Sequence, residues 1–474
     1  MVTMTKEKAP AKTRKRQEYK DREVFTSLGN ARRLLVWYGE RIQWCSSWDS
    51  WVVWDGERWK LDENLTMDKW CIEIITDMRE QGRKQQKDKR STKEQREYGE
   101  AREAWAAKCE NRSAIKGMQD MARHMRPVAP SDFDVDHWVL NCPSGVLDLR
   151  TGKLYEHDPF RMLTRMTAAG PSSKRKPERW LQFLDWLWDD PEMVSFVQRA
   201  AGLSLSGCVD PQVWFFLHGS GENGKSTFIN TLRDVVGDYG CQAQDDVFNE
   251  RRTDSHPTSI AMLRGTRLVT VTECPSDKAF NTSLLNAITG GDPLTARYMR
   301  QDPFTFRPEC KIWISANDQP TIRTSRHGTW RRIMTIPFTK QVTDRDPNLN
   351  IKLRGEHSGI LNWMLEGCMA YNERGLDPPP QIREATEAYR KNQDYIGSFL
   401  SDCCLTSDEG EAAPFLASQA DVYDQYKRWT EDNGCKQMTK ISFGKELVLR
   451  GFTKERTGDG RHWRGIALTR TWND

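Results

Sequence analysis

The sequence has 474 residues, a formal net charge of +4 and 37% hydrophobic residues. This length suffices for several domains with apolar cores of their own. No apolar run is long enough to cross a membrane and no apolar segment follows the basic N-terminus, so the sequence predicts neither a membrane span nor a secretory signal. The 12 cysteines include no C-x-x-C pair, which argues against a zinc site or a disulfide framework and favours a reducing, cytoplasmic location.

Composition and turn signals divide the chain into five segments. Basic residues dominate the first segment, and proline-containing stretches bound the α/β region on both sides. The predicted segments are a disordered basic arm (1–23), a mixed α+β N-terminal domain (24–167), a linker (168–177), an α/β domain with a parallel sheet (178–380) and a C-terminal domain (381–474). The last segment has helices followed by a hairpin rich in lysine and arginine, which indicates a winged helix.

Within the N-terminal domain, two hairpins are predicted on either side of charged helices. "WVVWDGERWKL" has two apolar strands around Asp55-Gly56, a pair suited to a two-residue turn, and "GVLDLRTGKLYEHD" repeats this pattern around Thr151-Gly152. "RKQQKDKRSTKEQREYGEAREAW" mixes both charges at helical spacing and predicts a solvated helix rather than a nucleic-acid surface.

The stretch "GSGENGKST", residues 219–227, lies between an apolar strand and a helical pattern and fits the phosphate-loop motif G-x-x-x-x-G-K-[ST]. Gly221 and Gly224 let consecutive backbone N–H groups turn toward a phosphate. Lys225 brings a positive charge to the β- and γ-phosphates, and Ser226 offers a hydroxyl to Mg²⁺. The predicted contacts to the nucleotide are Gly219, Gly221, Asn223, Gly224, Lys225, Ser226 and Thr227.

Hydrolysis needs further polar groups, and three positions downstream supply candidates. "TRLVTVTECP" predicts a strand that ends at Glu273, where a carboxylate can hold hydrated Mg²⁺ or orient water; an ordinary glutamate at a strand end is the alternative. "KIWISANDQP" predicts a strand that ends at Asn317, either a hydrogen-bond donor to water and phosphate or a simple turn residue. In "HGTWRRI", Arg331 or Arg332 either stabilises the γ-phosphate in a neighbouring subunit or pairs with surface carboxylates.

The order of these stretches resembles that of the superfamily 3 helicases. GSGENGKST, VTVTE, TGGDPLTARYMRQDPFTFRPECKIWISANDQP and HGTWRRI follow one another as in the phage/plasmid primase–helicase group, which is related to the poxvirus nucleoside triphosphatase. "FTSLGNARRLLVWYGERIQW", "WVVWDGERW" and "GVLDLRTGKLYEHDP" are similar to the domain that precedes the helicase in that group. The resemblance extends from about residue 24 to the end of the sequence.

The resemblance implies an AAA+-like ATPase core that assembles as a ring around DNA, usually a hexamer. It implies nucleotide binding by Lys225 and Ser226, an acidic strand end at Glu273, a sensor at Asn317 and a trans-acting arginine finger at Arg331 or Arg332. Many members have two adjacent acids where this chain has Thr272-Glu273-Cys274-Pro275. Either Glu273 alone serves both metal and water, or Asp277 contributes.

The segment "LTARYMRQDPFTFRP" predicts a hairpin between the acidic strand and the sensor strand. In the family, a hairpin at this place points into the ring channel, which implies phosphate contacts for Arg297, Arg300 and Arg307. Tyr298 either stacks on a base or packs within the hairpin.

The C-terminal segment contains a second set of candidate phosphate contacts. Basic residues there either bind DNA or simply coat a small domain. The candidates are Lys436, Lys440, Lys445, Arg450, Arg461 and Arg464.

These features predict an ATP-dependent DNA helicase, with Mg²⁺, that acts as a ring on single-stranded and forked DNA during replication of a phage, prophage or plasmid-like element in the host cytoplasm. The alternative is an ATP-gated initiator or loader that binds DNA without processive unwinding. A separate primase or polymerase is the partner that the family suggests. Because "DFDVD", residues 132–136, is not set on apolar strands, we expect no primase domain and no primer synthesis.

Overall fold

A computed structural model describes nine ranges of the chain. These are residues 24–172, 176–244, 247–250, 257–272, 279–300, 302–322, 327–407, 415–435 and 437–469. The predicted basic arm, Glu273, Asp277 and Lys436 lie outside them. Within these ranges, no helix is both long and apolar enough to cross a membrane, every cysteine is free, and no cluster of three metal-binding side chains occurs.

The N-terminal region contains four α-helices and two β-sheets, in which most strand pairs are antiparallel. The helices are α1 (Ser27–Tyr38), α2 (Thr66–Lys87), α3 (Lys93–Cys109) and α4 (Arg112–Arg123). The strands are β1 (Ile42–Cys45), β2 (Ser50–Trp54), β3 (Trp59–Leu61), β4 (Pro127–Val128), β5 (Val139–Cys142), β6 (Gly145–Asp148) and β7 (Leu154–Tyr155). The sheets have the orders β3-β2-β1-β4 and β5-β6-β7, so both predicted hairpins are confirmed.

The turn of the first hairpin is longer than the sequence predicts. Trp54 pairs with Trp59, which leaves a four-residue connection instead of the predicted two-residue turn at Asp55-Gly56. The Asp55 carboxylate accepts hydrogen bonds from the backbone N–H groups of Glu57 and Arg58, at 2.9 and 2.8 Å. These contacts stabilise the wider loop, because an aspartate side chain readily accepts hydrogen bonds from backbone N–H groups two or three residues further on.

The charged stretch predicted as one helix forms parts of two, α2 and α3, which pack against each other. Thr92 begins α3 with a capping box, in which its hydroxyl accepts from Gln95 N–H and the Gln95 amide accepts from Thr92 N–H. Gly82 and Gly99 allow close approach, since a Cβ at Gly82 would lie 2.8 Å from the Gly99 carbonyl oxygen. The strong N-cap signal therefore decides the break between the helices.

The acids of the "DFDVD" stretch make local contacts. Asp134 accepts from the Thr164 N–H at 2.9 Å and also from the Thr164 hydroxyl. Asp136 accepts from the Trp138 N–H at 3.0 Å and lies 3.9 Å from the Arg150 guanidinium. Both carboxylates therefore have local structural partners.

The central region is built on a five-stranded parallel sheet. Its strands are β8 (Trp214–His218), β9 (Gly240–Gln242), β10 (Leu268–Val271), β13 (Lys311–Ala316) and β14 (Ile333–Pro337), in the order β14-β8-β13-β10-β9. A separate antiparallel hairpin consists of β11 (Leu294–Ala296) and β12 (Phe304–Phe306). The helices are α5 (Glu178–Trp188), α6 (Pro191–Leu203), α7 (Lys225–Val236), α8 (Pro257–Ala261), α9 (Thr282–Gly290), α10 (His327–Trp330), α11 (Leu349–Gly355) and α12 (His357–Arg374).

The sheet is buried on both faces, which explains why its strands are continuous apolar runs in the sequence. Phe215 and Leu217 on β8 belong to one apolar core, while Trp214 and Phe216 belong to a second core on the other face. Because all five strands are parallel, their carboxyl ends share one edge of the sheet. The loops that contain the candidate nucleotide-site residues start at this edge.

Helix α13 (Pro380–Asn392) follows the predicted boundary at residue 380, yet it packs on the parallel sheet. Tyr389 is buried in the second core and stacks on Phe216, with ring centroids 5.2 Å apart. The Thr386 hydroxyl accepts from the Thr335 N–H of β14 at 3.0 Å. This packing favours a boundary after α13.

The C-terminal region combines helices with short antiparallel strands. The helices are α14 (Tyr395–Cys403), α15 (Gln419–Asp432) and α16 (Lys440–Leu449), and the strands are β15 (Cys404–Thr406), β16 (Leu416–Ser418), β17 (Thr453–Thr457), β18 (Gly460–Arg464) and β19 (Ile466–Leu468). Strands β17 and β18 form the predicted hairpin, with Thr457 opposite Gly460. Strand β16 pairs with the other edge of β18.

Candidate functional site

The predicted phosphate loop joins the carboxyl end of β8 to the first turn of α7. A Cβ at Gly219 would lie 2.0 Å from the Phe338 carbonyl oxygen, so only glycine fits there. Gly224, the residue before α7, has φ +83°, a left-handed conformation that favours glycine. Gly221 has neither restriction, and the other left-handed residue of the loop is Glu222, at φ 57°. The predicted turning role of Gly221 is therefore carried by Glu222 in this conformation.

Gly219→Ala is expected to lower the free energy of unfolding of the nucleotide-free protein by about 1–3 kcal/mol, because the added methyl group overlaps a backbone oxygen. Gly221→Ala is the matched control and is expected to change it by less than about 0.5 kcal/mol. Urea unfolding followed by tryptophan fluorescence measures both. Equal losses in the two variants would contradict this difference in backbone geometry between Gly219 and Gly221.

The Lys225 side chain is buried, and its ammonium lies among four oxygen acceptors. It donates to the carbonyl oxygens of Gly219 and Ser220 at 2.6 and 3.1 Å, and to the side-chain oxygens of Asn223 and Asn317 at 3.0 and 3.1 Å. Burial lowers the pKa of Lys225 to about 8, which leaves the ammonium mostly protonated at neutral pH. The structure thus brings Lys225 and Asn317, separated by 92 residues, into direct contact.

Asn223 connects the loop to the neighbouring strand. Its amide nitrogen donates to the Phe338 carbonyl at 3.2 Å and to the Ser220 carbonyl. Phe338 follows β14 directly, and its own N–H donates to the His218 carbonyl at 2.7 Å. The loop is therefore tied to both β8 and β14, which gives Asn223 a positioning role that its motif position alone does not reveal.

A cavity of about 1340 Å³ opens over the loop. Gly221, Asn223, Gly224, Lys225, Ser226 and Thr227 line one side of it, together with Asn317. The remaining walls come from α5 and from residues 342–350, which the sequence analysis did not assign to the site. Phe183 and Trp186 on α5 were missed because their helical spacing is also that of a core-facing stripe.

A carboxylate that the sequence analysis passed over, Asp318, lines the same cavity directly after Asn317. Its charge acts on His218, the last residue of β8: burial and then the Lys225 charge lower the pKa of His218, while Asp318 opposes them. Glu273 lies outside the described residues. Strand β10, which leads toward Glu273, ends at Val271 beside Ile314 of β13, at the same edge of the sheet.

Arg331 and Arg332 lie at the opposite edge of the sheet. Ile333, the next residue, pairs with Trp214 at the start of β8, whereas the phosphate loop follows the end of that strand. A five-residue strand separates these edges by about 15 Å. Arg331 donates to the Gln212 side chain at 3.2 Å and Arg332 to the Thr289 hydroxyl at 2.9 Å. Neither arginine pairs with a carboxylate in the described ranges, in contrast to the alternative raised for them.

The predicted hairpin between the acidic and sensor strands is confirmed as β11 and β12, with Ala296 opposite Phe304. Arg297 and Arg300 are exposed in its connection, and Arg300 has φ 59°. Arg307 instead donates to the Gly291 carbonyl at 2.9 Å, at the end of α9. Arg307 therefore lies at the base of the hairpin rather than at its tip.

Tyr298 stacks on Phe304 within the hairpin. The ring centroids are 5.1 Å apart and the planes differ by 26°, while the tyrosine is 40% exposed. This contact favours the packing alternative. Met299, which is 76% exposed, is the most accessible apolar side chain of the described connection.

The basic residues of the C-terminal region fall into two groups. Arg450 is paired with Asp394 and Arg464 with Glu455, so both guanidinium groups already have carboxylate partners. The exposed residues Lys440, Lys445 and Arg461 have no ion pair within the part of the chain that is described. Sequence reasoning missed Arg456, which lies directly opposite Arg461 on the β17–β18 hairpin.

Three family models match the chain. The model "D5 N terminal like" matches residues 31–189, a family of unknown function (DUF5906) matches residues 217–332, and "Poxvirus D5 protein-like" matches residues 391–461. The matches therefore fall in the N-terminal, central and C-terminal regions in turn.

Curated relatives include proteins of a mimivirus and of African swine fever virus. The chain is 26% identical over 327 residues to L207/L206 of Acanthamoeba polyphaga mimivirus, named as a candidate helicase, covering 64% of this chain and 34% of that protein. It is 25% identical over 252 residues to C962R of African swine fever virus, named as a candidate primase, covering 48% and 26%. The chain spans 34% and 26% of the length of these two relatives. A solved C-terminal region of NrS-1 matches with TM-score 0.49 and 11% identity, covering 93% of this chain and 99% of that chain.

The fold and the loop define a mixed α/β protein with a phosphate-loop sequence at the carboxyl edge of a parallel sheet. The D5-like models at both ends of the chain, and the helicase and primase names of its relatives, confirm the family resemblance found in the sequence. The chain is therefore similar to the viral D5-like helicase–primase proteins in its N-terminal and C-terminal regions.

Proposed function

We propose that the protein is an ATP-dependent DNA helicase of superfamily 3, which moves along DNA as a ring during replication of a viral, phage or plasmid-like element. The contact between Lys225 and Asn317 carries this proposal, because it joins the phosphate loop to the sensor position in one cavity. In this proposal the central region is an AAA+-like ATPase and the C-terminal region a winged helix.

The phosphates of the nucleoside triphosphate would bind to the loop. The first turn of α7 offers backbone N–H groups that have no acceptor within the helix, and its dipole favours an anion there. Lys225 would exchange its contacts to the loop carbonyls for the β- and γ-phosphates. Asn317 would then be released to orient water or the γ-phosphate.

The donor set also fits a magnesium ion. Ser226 is exposed at the cavity, and the carboxylates of Asp318 and Asp344 line it. Hydroxyl and carboxylate oxygens are ligands that Mg²⁺ takes in phosphoryl-transfer sites. We propose Ser226 as a ligand and Glu273 as a contact through water; the bound ion would neutralise charge on the β- and γ-oxygens.

The placement of Arg331 and Arg332 supports the proposed ring, which is taken as a hexamer from the family. They lie about 15 Å along the sheet from the loop of their own chain. In an assembly with head-to-tail contacts, the same arginines can face the loop of the next subunit. Mg²⁺-ATP would therefore bind between subunits.

DNA would contact the hairpin and the C-terminal region. Arg297 and Arg300 are exposed at the hairpin connection and would bind backbone phosphates in the channel, while Arg307 would support the hairpin. In the winged helix, Lys440, Lys445 and Arg461 would make sequence-independent contacts.

We do not propose primer synthesis by the described region, because Asp134 and Asp136 hold local structure. A separate primase or polymerase remains the proposed partner. The second candidate function is an ATP-gated initiator or loader, which the exposed basic residues of the C-terminal hairpin would equally support.

Arg300→Ala distinguishes a translocating helicase from a loader. We expect at least a tenfold lower rate of strand separation on a forked duplex with Mg²⁺-ATP and basal ATPase within about twofold, because a phosphate contact of the moving hairpin is removed. Strand separation measured by fluorescence, beside ATPase without DNA, checks this.

The matched control is Arg383→Ala, since Arg383 is an exposed arginine on α13 outside the hairpin. Its strand separation should equal that of the wild type. A wild type that hydrolyses ATP on DNA without separating strands, with no effect of Arg300→Ala, would favour the loader.

A further inference from the structure

One wall of the cavity over the phosphate loop carries a pair of aromatic rings. Phe183 and Trp186 on α5 have ring centroids 6.3 Å apart and planes inclined by 19°. Both line the cavity together with Lys225. Phe183 also contacts the loop, because a Cβ at Gly224 would lie 3.2 Å from its ring. The pair therefore extends from the loop itself to the outer part of the cavity.

Trp186 differs from the other large side chains of its helix. Trp180, Leu184 and Leu187 are 0%, 0% and 1% exposed and form part of the core, whereas Trp186 is 37% exposed. Its partner Phe183 is 7% exposed, so one ring of the pair is fixed in the core and the other faces the cavity. The core does not require a tryptophan at position 186.

The helix that carries this ring is firmly fixed. The Glu356 carboxylate accepts hydrogen bonds from the N–H groups of Arg179 and Trp180 at the start of α5, at 3.0 and 2.9 Å. The Arg179 side chain pairs with Asp346 at 3.2 Å. Asp346 belongs to the facing wall of the cavity and also pairs with Lys352 at 2.8 Å. The ion pair between Arg179 and Asp346 connects the two walls directly.

We propose that Trp186 is the stacking surface for the nucleobase of the nucleoside triphosphate. This inference rests on the proposed binding of the triphosphate at Lys225. The cavity, at about 1340 Å³, has room for a complete nucleotide beyond the phosphates. Every base has a π-face, and base–aromatic stacking contributes a binding increment that alanine substitution removes. Phe183, which contacts both the loop and Trp186, positions the Trp186 ring.

The test compares ATP with inorganic tripolyphosphate, which has the phosphates but no base. Binding of each, with Mg²⁺, is measured by calorimetry for the wild type, Trp186→Ala and Trp186→Phe. We expect Trp186→Ala to raise the dissociation constant of ATP about tenfold. The dissociation constant of tripolyphosphate should stay within about twofold of the wild-type value. Trp186→Phe keeps an aromatic face and should stay within about threefold for both ligands.

Two outcomes would overturn the stacking role. If Trp186→Ala weakens the binding of neither ligand, the base binds elsewhere and the exposed ring serves another contact, such as one between subunits. If the substitution weakens the binding of both ligands equally, Trp186 acts on the loop rather than on the base. Lys225→Ala tests the proposed function separately: it should weaken both ligands, and unchanged binding of both would refute the phosphate site itself.

Discussion

Lys225→Ala is expected to lower the rate of ATP hydrolysis by about 10²–10³-fold and to abolish strand separation. Removal of one preorganised donor that stabilises developing charge has an effect of this size. In this protein the ammonium is also the centre of a network that joins Gly219, Ser220, Asn223 and Asn317. Steady-state phosphate release, with and without a forked duplex, measures the loss.

Lys340→Ala is the matched control, because Lys340 is an exposed lysine close in sequence to the Phe338 contact with the loop. Its hydrolysis rate should match that of the wild type within about twofold. A Lys225→Ala protein that keeps hydrolysis within tenfold of the wild type, with its melting midpoint unchanged, would exclude this loop as the site of phosphoryl transfer.

The double variant Arg331→Ala/Arg332→Ala is expected to lower hydrolysis by about 10³-fold, since arginine fingers contribute 10³–10⁵ to such reactions. Both side chains contact neutral oxygens, and burial together with the Arg331 charge lowers the pKa of Arg332. The Asp292 charge opposes this shift, but neither guanidinium forms an ion pair within the described ranges, so both are proposed to meet the γ-phosphate of the neighbouring subunit. The single variants then show which arginine acts.

The trans arrangement predicts rescue on mixing. A subunit with Lys225→Ala keeps its arginines and a subunit with both arginines replaced keeps its loop, so a mixed ring contains some complete sites. Equal mixing should therefore restore a measurable part of the wild-type ATPase rate. If mixed rings form, as judged by co-purification of differently tagged subunits, and hydrolysis does not recover, the arginines do not act between subunits.

The sequence predicts the strands of the central sheet and the loop well because both depend on local signals. A strand buried on both faces must be continuously apolar, and "VWFFLH" and "KIWIS" satisfy this without reference to any partner. Gly219 and Gly224 are required by backbone geometry that the motif records. The contact of Lys225 with Asn317 follows once the two strands are adjacent and parallel.

The parts that the sequence does not predict depend on contacts between distant segments. Trp186 and Trp180 lie on one helix, and only packing against the core distinguishes the exposed ring from the buried one. The sequence suggests Arg450, Arg464 and Arg307 as DNA contacts. In the structure Arg450 and Arg464 pair with carboxylates and Arg307 donates to a carbonyl, and these partners lie too far away in sequence to be predicted. The wider turn at Asp55 depends on hydrogen bonds that compete with a two-residue turn.

Helix α13 has a practical consequence for how the protein can be divided. Its Tyr389 is inserted against Phe216 of the sheet, and the tyrosine hydroxyl donates to the Pro320 carbonyl at 2.5 Å, three residues after Asn317. A fragment cut at the prolines before the helix would lose the cover of the sheet beside the sensor segment. The smallest transferable unit of the central region therefore extends at least to Asn392, and chimaeras with related proteins should exchange material only beyond that point.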